Sequence, residues 1–409
     1  MALKDDIASK ILSAIDETDV LSLANALIKI PSFTTEETKC AQFLYKYLKR
    51  KDFSVQLQKV EPGRYQTIAT LKGRGKGRSL MFNGHIDIDP LSRDWTRDPW
   101  KPVVEDGKLY GAGIQNMKGG VTAMIKAAEA LKKAKISLKG DLKIACVAGE
   151  LQGGVGTVHL LKSGIKADMA VVPEPYGAHN IITTHAGVVE FAIHTYGVSK
   201  HISMMEQGVN AIDNMYKIIQ ALKRIKFTHE DFPQLPGIPR MNIGAIIGGH
   251  GKSYEMRGVC NVPDICTVLV DARTVPGMSG ETIKRDIQIA LDELKKDNPT
   301  LQYELEFPAK PEWRINRVEM FATELPTDSY IVQSLRRSHQ YVEGRDMDNV
   351  GVVLPQSYPG NDTSHLWRAH IPCCLYGPRG QMMPESFQPV DQIMTVTKVL
   401  ALTALDVCT

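Results

Sequence analysis

A chain of 409 residues has the length for two or three domains and for a sizeable buried core. Apolar residues at 43% and charged residues at 23% are ordinary for a soluble globular enzyme. A net charge of +3, with lysines spread along the chain, provides no basic block for nucleic acid or a membrane surface. Seven cysteines form no CxxC pair and no regular framework, which implies a reducing, cytoplasmic setting. The N-terminus reads as a mixed-charge amphipathic helix rather than a signal peptide, and no run of about 18 apolar residues occurs.

In chain order, Ile7, Ile11, Leu12 and Ile15 recur at helix spacing, and Thr34-Thr35-Glu36-Glu37 reads as the capping signal of a second helix. Residues 53–71 alternate as one or two strands. Ser79-Leu80-Met81-Phe82 predicts a buried strand, with His85 and Asp87 just past its end. Gly111-Ala112-Gly113 and Lys118-Gly119-Gly120 lead into a helix whose apolar stripe is Val121, Met124, Ile125, Ala128 and Leu131. Residues 141–148 and 169–172 predict two more buried strands, followed by Gly149-Glu150 and Pro173-Glu174-Pro175. Three strand ends thus bring polar residues to one sheet edge, where open α/β sheets bind ligands.

From about residue 185 the texture changes. Strand 188–196, helix 210–225, strands 241–247 and 265–273, helix 280–294 and strand 301–307 give a β-α-β-β-α-β order. That order suits a four-stranded antiparallel sheet with two helices on one face. After Pro308 the α/β texture returns, with a helix near 328–342 and a strand at 370–376. The pattern implies an α/β domain, 1–184 and 309–409, carrying an inserted domain, 185–308.

His85 and Asp87 suit a pair in which the carboxylate fixes the imidazole tautomer and frees the other nitrogen for a metal. The plainer alternative is a strand end with a polar turn. Glu150 could be a surface carboxylate at a helix start, His201 a cap and Arg273 the partner of an acidic neighbour. Asp362-Thr363-Ser364-His365 invites a nucleophile reading but reads first as a turn and helix cap, and Cys373-Cys374 reads as core.

Gly84-His85-Ile86-Asp87, Gly111-Ala112-Gly113 with Met117-Lys118-Gly119-Gly120, Glu150 with Gly153-Gly154 and Gly156-Thr157, and Pro173-Glu174-Pro175 occur in that order. Gly197 with His201, Gly208-Val209-Asn210-Ala211-Ile212, Gly248-Gly249, Asn261-Val262-Pro263 and Arg273 with Pro276-Gly277 follow in the insert. Each is weak alone. As an ordered set over nearly the whole chain, they resemble the co-catalytic zinc hydrolases that include acetylornithine deacetylase, succinyl-diaminopimelate desuccinylase and glutamate carboxypeptidase. The resemblance implies a mixed-sheet, zinc-peptidase-like α/β catalytic domain with an inserted ferredoxin-like α+β domain, the usual lid and dimer contact. It implies His85 and Glu174 as ligands of one ion, Asp87 behind His85, and Glu150 as the general base toward water. His201 would stabilise the oxyanion. Arg273 and Asn242, with Gly360 nearby in the pattern, would hold a substrate carboxylate.

Three positions depart from that pattern. The resemblance expects a bridging aspartate at Asn116, a glutamate at Leu151 and a histidine at Met382, all serving the second ion. An amide lacks the charge to bridge two dications, a leucine cannot ligate, and methionine suits softer ions. A two-zinc centre is therefore not expected. His85, Glu174 and the Asn116 oxygen remain for one divalent ion (zinc, manganese or cobalt), with His179, His185 or substrate atoms completing its shell, or for none. The expectation is a cytoplasmic, homodimeric amidohydrolase acting on a small carboxylate-bearing molecule. Its rivals are a metal-free acid/base enzyme (deamination, elimination or cyclisation) using Glu150 and Glu174, and a non-catalytic binding protein.

Overall fold

The computed structural model describes residues 5–310, 313 and 318–409. Its longer strands and those of the central sheet are, in chain order, β1 (Ser54–Glu61), β2 (Arg64–Leu71), β3 (Leu80–His85), β4 (Leu142–Val147), β5 (Met169–Val172), β6 (Asn180–Ile182), β7 (Gly187–Tyr196), β8 (Arg240–Gly249), β9 (Ile265–Thr274), β10 (Gln302–Glu306), β11 (Asn349–Gly351) and β12 (Cys373–Leu375). Two compact units result. The first takes the described residues up to His185, with Thr323–Ser357 and Asn361–Thr409; the second takes those of Ala186–Ala322 and Tyr358–Gly360.

The first unit is built on an eight-stranded mixed sheet in the order β1-β2-β4-β3-β5-β12-β6-β11. β3 runs parallel to both β4 and β5, so the three strands finish on the same edge. These strands are apolar almost throughout because both of their faces are covered. Leu80, Phe82, Leu142, Ile144, Cys146 and Val171 join the larger core with helices Gly119–Lys133 and Val390–Cys408. Met81, Ala145, Val147, Ala170 and Val172 face the opposite way, toward Leu160 and Leu366. Helix Gly119–Lys133 comes very close to the exit of β5. A Cβ on Gly120 would lie 2.0 Å from the Pro173 carbonyl oxygen, which leaves glycine as the residue that fits.

The second unit is a four-stranded sheet in the order β8-β9-β7-β10, antiparallel throughout, with helices Ala211–Leu222 and Gly280–Asp297 packed together over it. Asn210 caps the first helix by accepting from the Ile212 and Asp213 amides, and Ser279 caps the second through Thr282.

Some sequence expectations are displaced. The chain leaves the second unit at Thr323 rather than at residue 309, because Met320 still pairs with Val188 through backbone bonds in both directions. Part of the intervening stretch, 311–312 and 314–317, lies outside the described residues. The helix expected to open at Thr34–Glu37 starts at Thr38, because the Glu37 carboxylate is drawn into a buried pair with Arg64. The strand expected at 370–376 shortens to β12, since Ile371 donates back to Leu366 and closes the preceding helix. No helix among the described residues is long and apolar enough to cross a membrane.

Candidate active site

β3 delivers His85, and the segment Ile86-Asp87-Ile88-Asp89 then crosses the sheet edge. β4 leads through Ala148 and Gly149 to Glu150, and β5 through Pro173 to Glu174. The loop around Glu150 requires glycine. Gly149, Gly153 and Gly154 have φ of +72°, +84° and +74°, the left-handed region that side chains disfavour.

Asp87 ties two of these strand ends together. Its Oδ1 accepts from the Gly149 and Glu150 amides at 2.9 and 3.2 Å, and its Oδ2 from the Leu151 amide at 3.1 Å and Thr34 Oγ1 at 3.3 Å. Burial alone would raise its pKa, but His85 and these amides hold it below the ordinary carboxylate value.

His85 is fully buried, and both ring nitrogens face oxygen acceptors. Nδ1 lies 2.9 Å from the Asp87 carbonyl oxygen and 3.5 Å from Asp87 Oδ1. Nε2 lies 3.1 Å from Asn116 Oδ1, 3.6 Å from Glu174 Oε1 and 3.9 Å from Glu150 Oε2. A carbonyl can only accept, so Nδ1 carries a hydrogen. Nε2 therefore holds either a second proton or a cation shared with the surrounding oxygens. Burial opposes the charge, yet Asp87, Glu174 and Glu150 hold the imidazole pKa well above its ordinary value.

Glu150 and Glu174 are both buried, and their pKa values are raised first by burial and then by neighbouring carboxylates, against the pull of His85. Glu174 Oε1 has no hydrogen-bond partner. With His85 Nε2 and Asn116 Oδ1 it makes three converging donors of types that hold a hard or borderline divalent ion. One ion fits. Among the described residues no three His, Cys, Asp or Glu side chains make a ready cage, so that fit depends on the amide oxygen.

None of the three positions that the resemblance assigns to a second ion carries a carboxylate or an imidazole. Asn116 uses its nitrogen end on Asp89 Oδ2 at 3.1 Å. Leu151 meets Asp87 through its backbone and offers only hydrocarbon as a side chain. Met382 lies on the same cavity as Asn116 and Asp89, a space of about 20 Å³ shared with Trp95, Met383 and Ser386. His179 and His185 are engaged elsewhere, His179 Nδ1 with His339 Nε2 at 2.9 Å and His185 Nε2 with Thr363 Oγ1 at 2.7 Å.

Two acidic residues enter this unit's site beyond those picked from the sequence. Asp89 was visible two residues past Asp87, at the same alternation. Asp362 stood out only as the head of the Asp362–His365 turn, with nothing to tie it to His85. It stands at the N-cap of Thr363–Arg368 but makes no capping bond, so the cap reading fails. Both of its carboxylate oxygens are buried and, among the described residues, meet no hydrogen-bond donor in good geometry, the Thr157 hydroxyl being the near one. A Cβ on Gly154 would sit 2.5 Å from its Oδ1, so it is packed against the Glu150 loop. Burial, reinforced by Glu174 and Asp87 and opposed by His85, pushes its pKa up to about 7. His365, one turn further on, donates from Nε2 to the Gly153 carbonyl at 2.7 Å, and burial lowers its pKa to about 4.

The other expected residues belong to the second unit. His201 is exposed, and its Nδ1 caps Ile202–Gln207 by accepting from the Ser203 amide. Arg273 makes a two-pronged pair with Asp271, at 2.7 and 2.8 Å. Asn242 is exposed and stands opposite Asp271 across β8 and β9. Gly360 packs where a Cβ would meet a Val188 methyl at 2.5 Å.

Residues 81–406 match the model of peptidase family M20/M25/M40. The chain is 28% identical over 404 residues to the N-formyl-4-amino-5-aminomethyl-2-methylpyrimidine deformylase of Halalkalibacterium halodurans, covering 92% of this chain and 91% of that one. It is 31% identical over 294 residues to the acetylornithine deacetylase of Photorhabdus laumondii, covering 68% and 73%. Among solved structures, the M20 metallo-carboxypeptidase of Sulfolobus solfataricus superposes with a TM-score of 0.74 at 16% identity, over 96% of this chain and all of that one. A Bacillus subtilis M20 peptidase described as binding a dinuclear metal superposes with a TM-score of 0.64 at 15% identity, over 96% and 98%. At such identities these structures speak for the fold alone. The chain belongs to peptidase family M20/M25/M40, and it is an amide-bond hydrolase of that family.

Proposed function

We propose that the chain hydrolyses the amide of a small N-acylated molecule bearing a carboxylate, with Glu150 as the base that deprotonates the attacking water. The position of Glu150 carries this reading. It is buried, 3.9 Å from His85, on a loop whose amides Asp87 holds. Its raised pKa moves it toward the range where a carboxyl can take and return a proton near neutrality.

An ion held by His85, Glu174 and Asn116 would polarise the scissile carbonyl and acidify water. The remaining work falls to side chains. Glu150 takes a proton from water and returns it to the leaving nitrogen, while Asp87 keeps His85 and the Glu150 loop in register. By resemblance, His201 steadies the oxyanion, and Arg273 and Asn242, with Gly360, receive the substrate carboxylate. Arg273 would then divide its guanidinium between that carboxylate and Asp271. The relatives named as a deformylase and deacetylases support a short acyl group.

The test is a panel of N-formyl, N-acetyl and N-succinyl amines, with and without a carboxylate, offered to wild type and Glu150→Gln. The variant is expected to lose about 10²–10⁴-fold in kcat with KM nearly unchanged. Equal product from both proteins removes Glu150 from this role. A second reading, supported by the acceptors at both His85 nitrogens, is a metal-free acid/base enzyme with His85 as imidazolium. Turnover that survives exhaustive chelation in the same panel would favour it.

A further inference from the structure

Asn116 is an amide among carboxylates, and its two ends differ. The oxygen end can face a cation or an N–H; the nitrogen end can face only an acceptor. In the structure Oδ1 faces His85 Nε2 at 3.1 Å and Nδ2 faces Asp89 Oδ2 at 3.1 Å. Turning the amide over would set oxygen against the Asp89 carboxylate and aim two N–H groups at the place where a cation would lie. Asp89, together with the proton or cation on His85 Nε2, therefore sets which end His85 meets.

We propose that Asp89 is a positioning residue: by accepting from Asn116 Nδ2 it turns the amide oxygen toward His85 and so builds the third donor of a one-cation site. This rests on the one-ion reading above. The geometry also explains how an amide can serve at position 116. A carboxylate there presents oxygen whichever way it turns, whereas an amide needs a neighbour to orient it. Asp89, partly exposed and reached along the same segment as His85, is that neighbour.

Two measurements on the full chain test the proposal. In spectra of ¹⁵N-labelled, metal-free protein, the Asn116 side-chain NH₂ pair should be shifted by its hydrogen bond in wild type and revert toward free-amide values in Asp89→Ala. Unchanged shifts overturn the orienting role. Manganese(II) alone is then titrated and free ion counted by electron paramagnetic resonance. Wild type should bind one ion per chain, Asp89→Ala at least tenfold more weakly. In the Asn116→Asp background, adding Asp89→Ala should change affinity less than twofold, because a carboxylate has no wrong end.

Equal weakening in both backgrounds would mean that Asp89 acts only through its charge, and would overturn the proposal. Wild type that takes up no manganese would remove the one-ion reading and with it the donor role, while the NH₂ signals still decide orientation. A stoichiometry near two would overturn the one-ion reading by itself. Circular dichroism and backbone amide spectra of each variant separate these outcomes from misfolding.

Discussion

At the scale of single residues, the site mixes groups whose environments pull in opposite directions. Asp87 is buried yet ionised, because three amides and a histidine compensate it. Asp362 is equally buried, and against that burial it has no amide donors among the described residues, only the nearby Thr157 hydroxyl. Its folded pKa of about 7 stands above the ordinary value of 3.8, so the folded state holds a proton where the unfolded chain has lost it. The associated stability is present below about pH 4 and is lost as pH rises toward 7. Asp362→Asn keeps the shape of the neutral acid and has no proton to lose. Its stability relative to wild type should therefore rise between pH 5 and pH 8, by an amount on the order of a few kcal/mol. Urea denaturation at both pH values reads this directly, and a difference that does not vary with pH would contradict it. His85, Asp87, Glu150 and Glu174 were legible because each directly follows a recognisable strand or its glycine turn. Asp362 was not, because the fold alone brings it to Gly154.

At the scale of elements, three parallel strand ends place the chemistry, and helix Gly119–Lys133 sets how closely they are braced. Two effects compete at Gly120. Helix propensity favours alanine over glycine by about 1 kcal/mol, whereas a Cβ 2.0 Å from the Pro173 carbonyl oxygen must push the Glu174 strand exit away. Overpacking costs about 1–3 kcal/mol, and here the obstacle is backbone rather than a flexible side chain. Gly120→Ala should therefore lower Tm and reduce activity together; a higher Tm would show that the strand end yields freely. The buried strands were readable because their apolar runs serve two covered faces. The Thr34–Glu37 signal misled because a capping motif says nothing of Arg64, which arrives from β2 and takes Glu37 for an ion pair.

At the scale of the whole molecule, the order of elements in the inserted unit was readable from alternating periodicity, and it forms the expected four-stranded sheet. The order of strands in the larger sheet was not. β12 enters between β5 and β6 from a point about two hundred residues later, and no local pattern encodes that neighbour. The return point at Thr323 was hidden for the same reason, since a single bridge to Val188 decides it. β8 is an edge strand with Ile246 56% and Ile247 42% exposed, and Ile212 and Tyr216 are exposed on the helix beside it. Open apolar edges of this kind invite pairing. We propose a homodimer through this edge. Analytical ultracentrifugation should give twice the 45.3 kDa chain mass, and Ile246→Glu should shift the protein toward monomer. A wild type that sediments at the chain mass would refute the dimer.

The bond from Asp87 to Leu151 bears on how such a site can change over generations. Asp87 grips Leu151 by its amide, a group that every residue except proline supplies. That hold on the Glu150 loop does not depend on which side chain stands at 151. A hold of this kind separates the architecture of the Glu150 loop from whatever chemistry the side chain at 151 supplies.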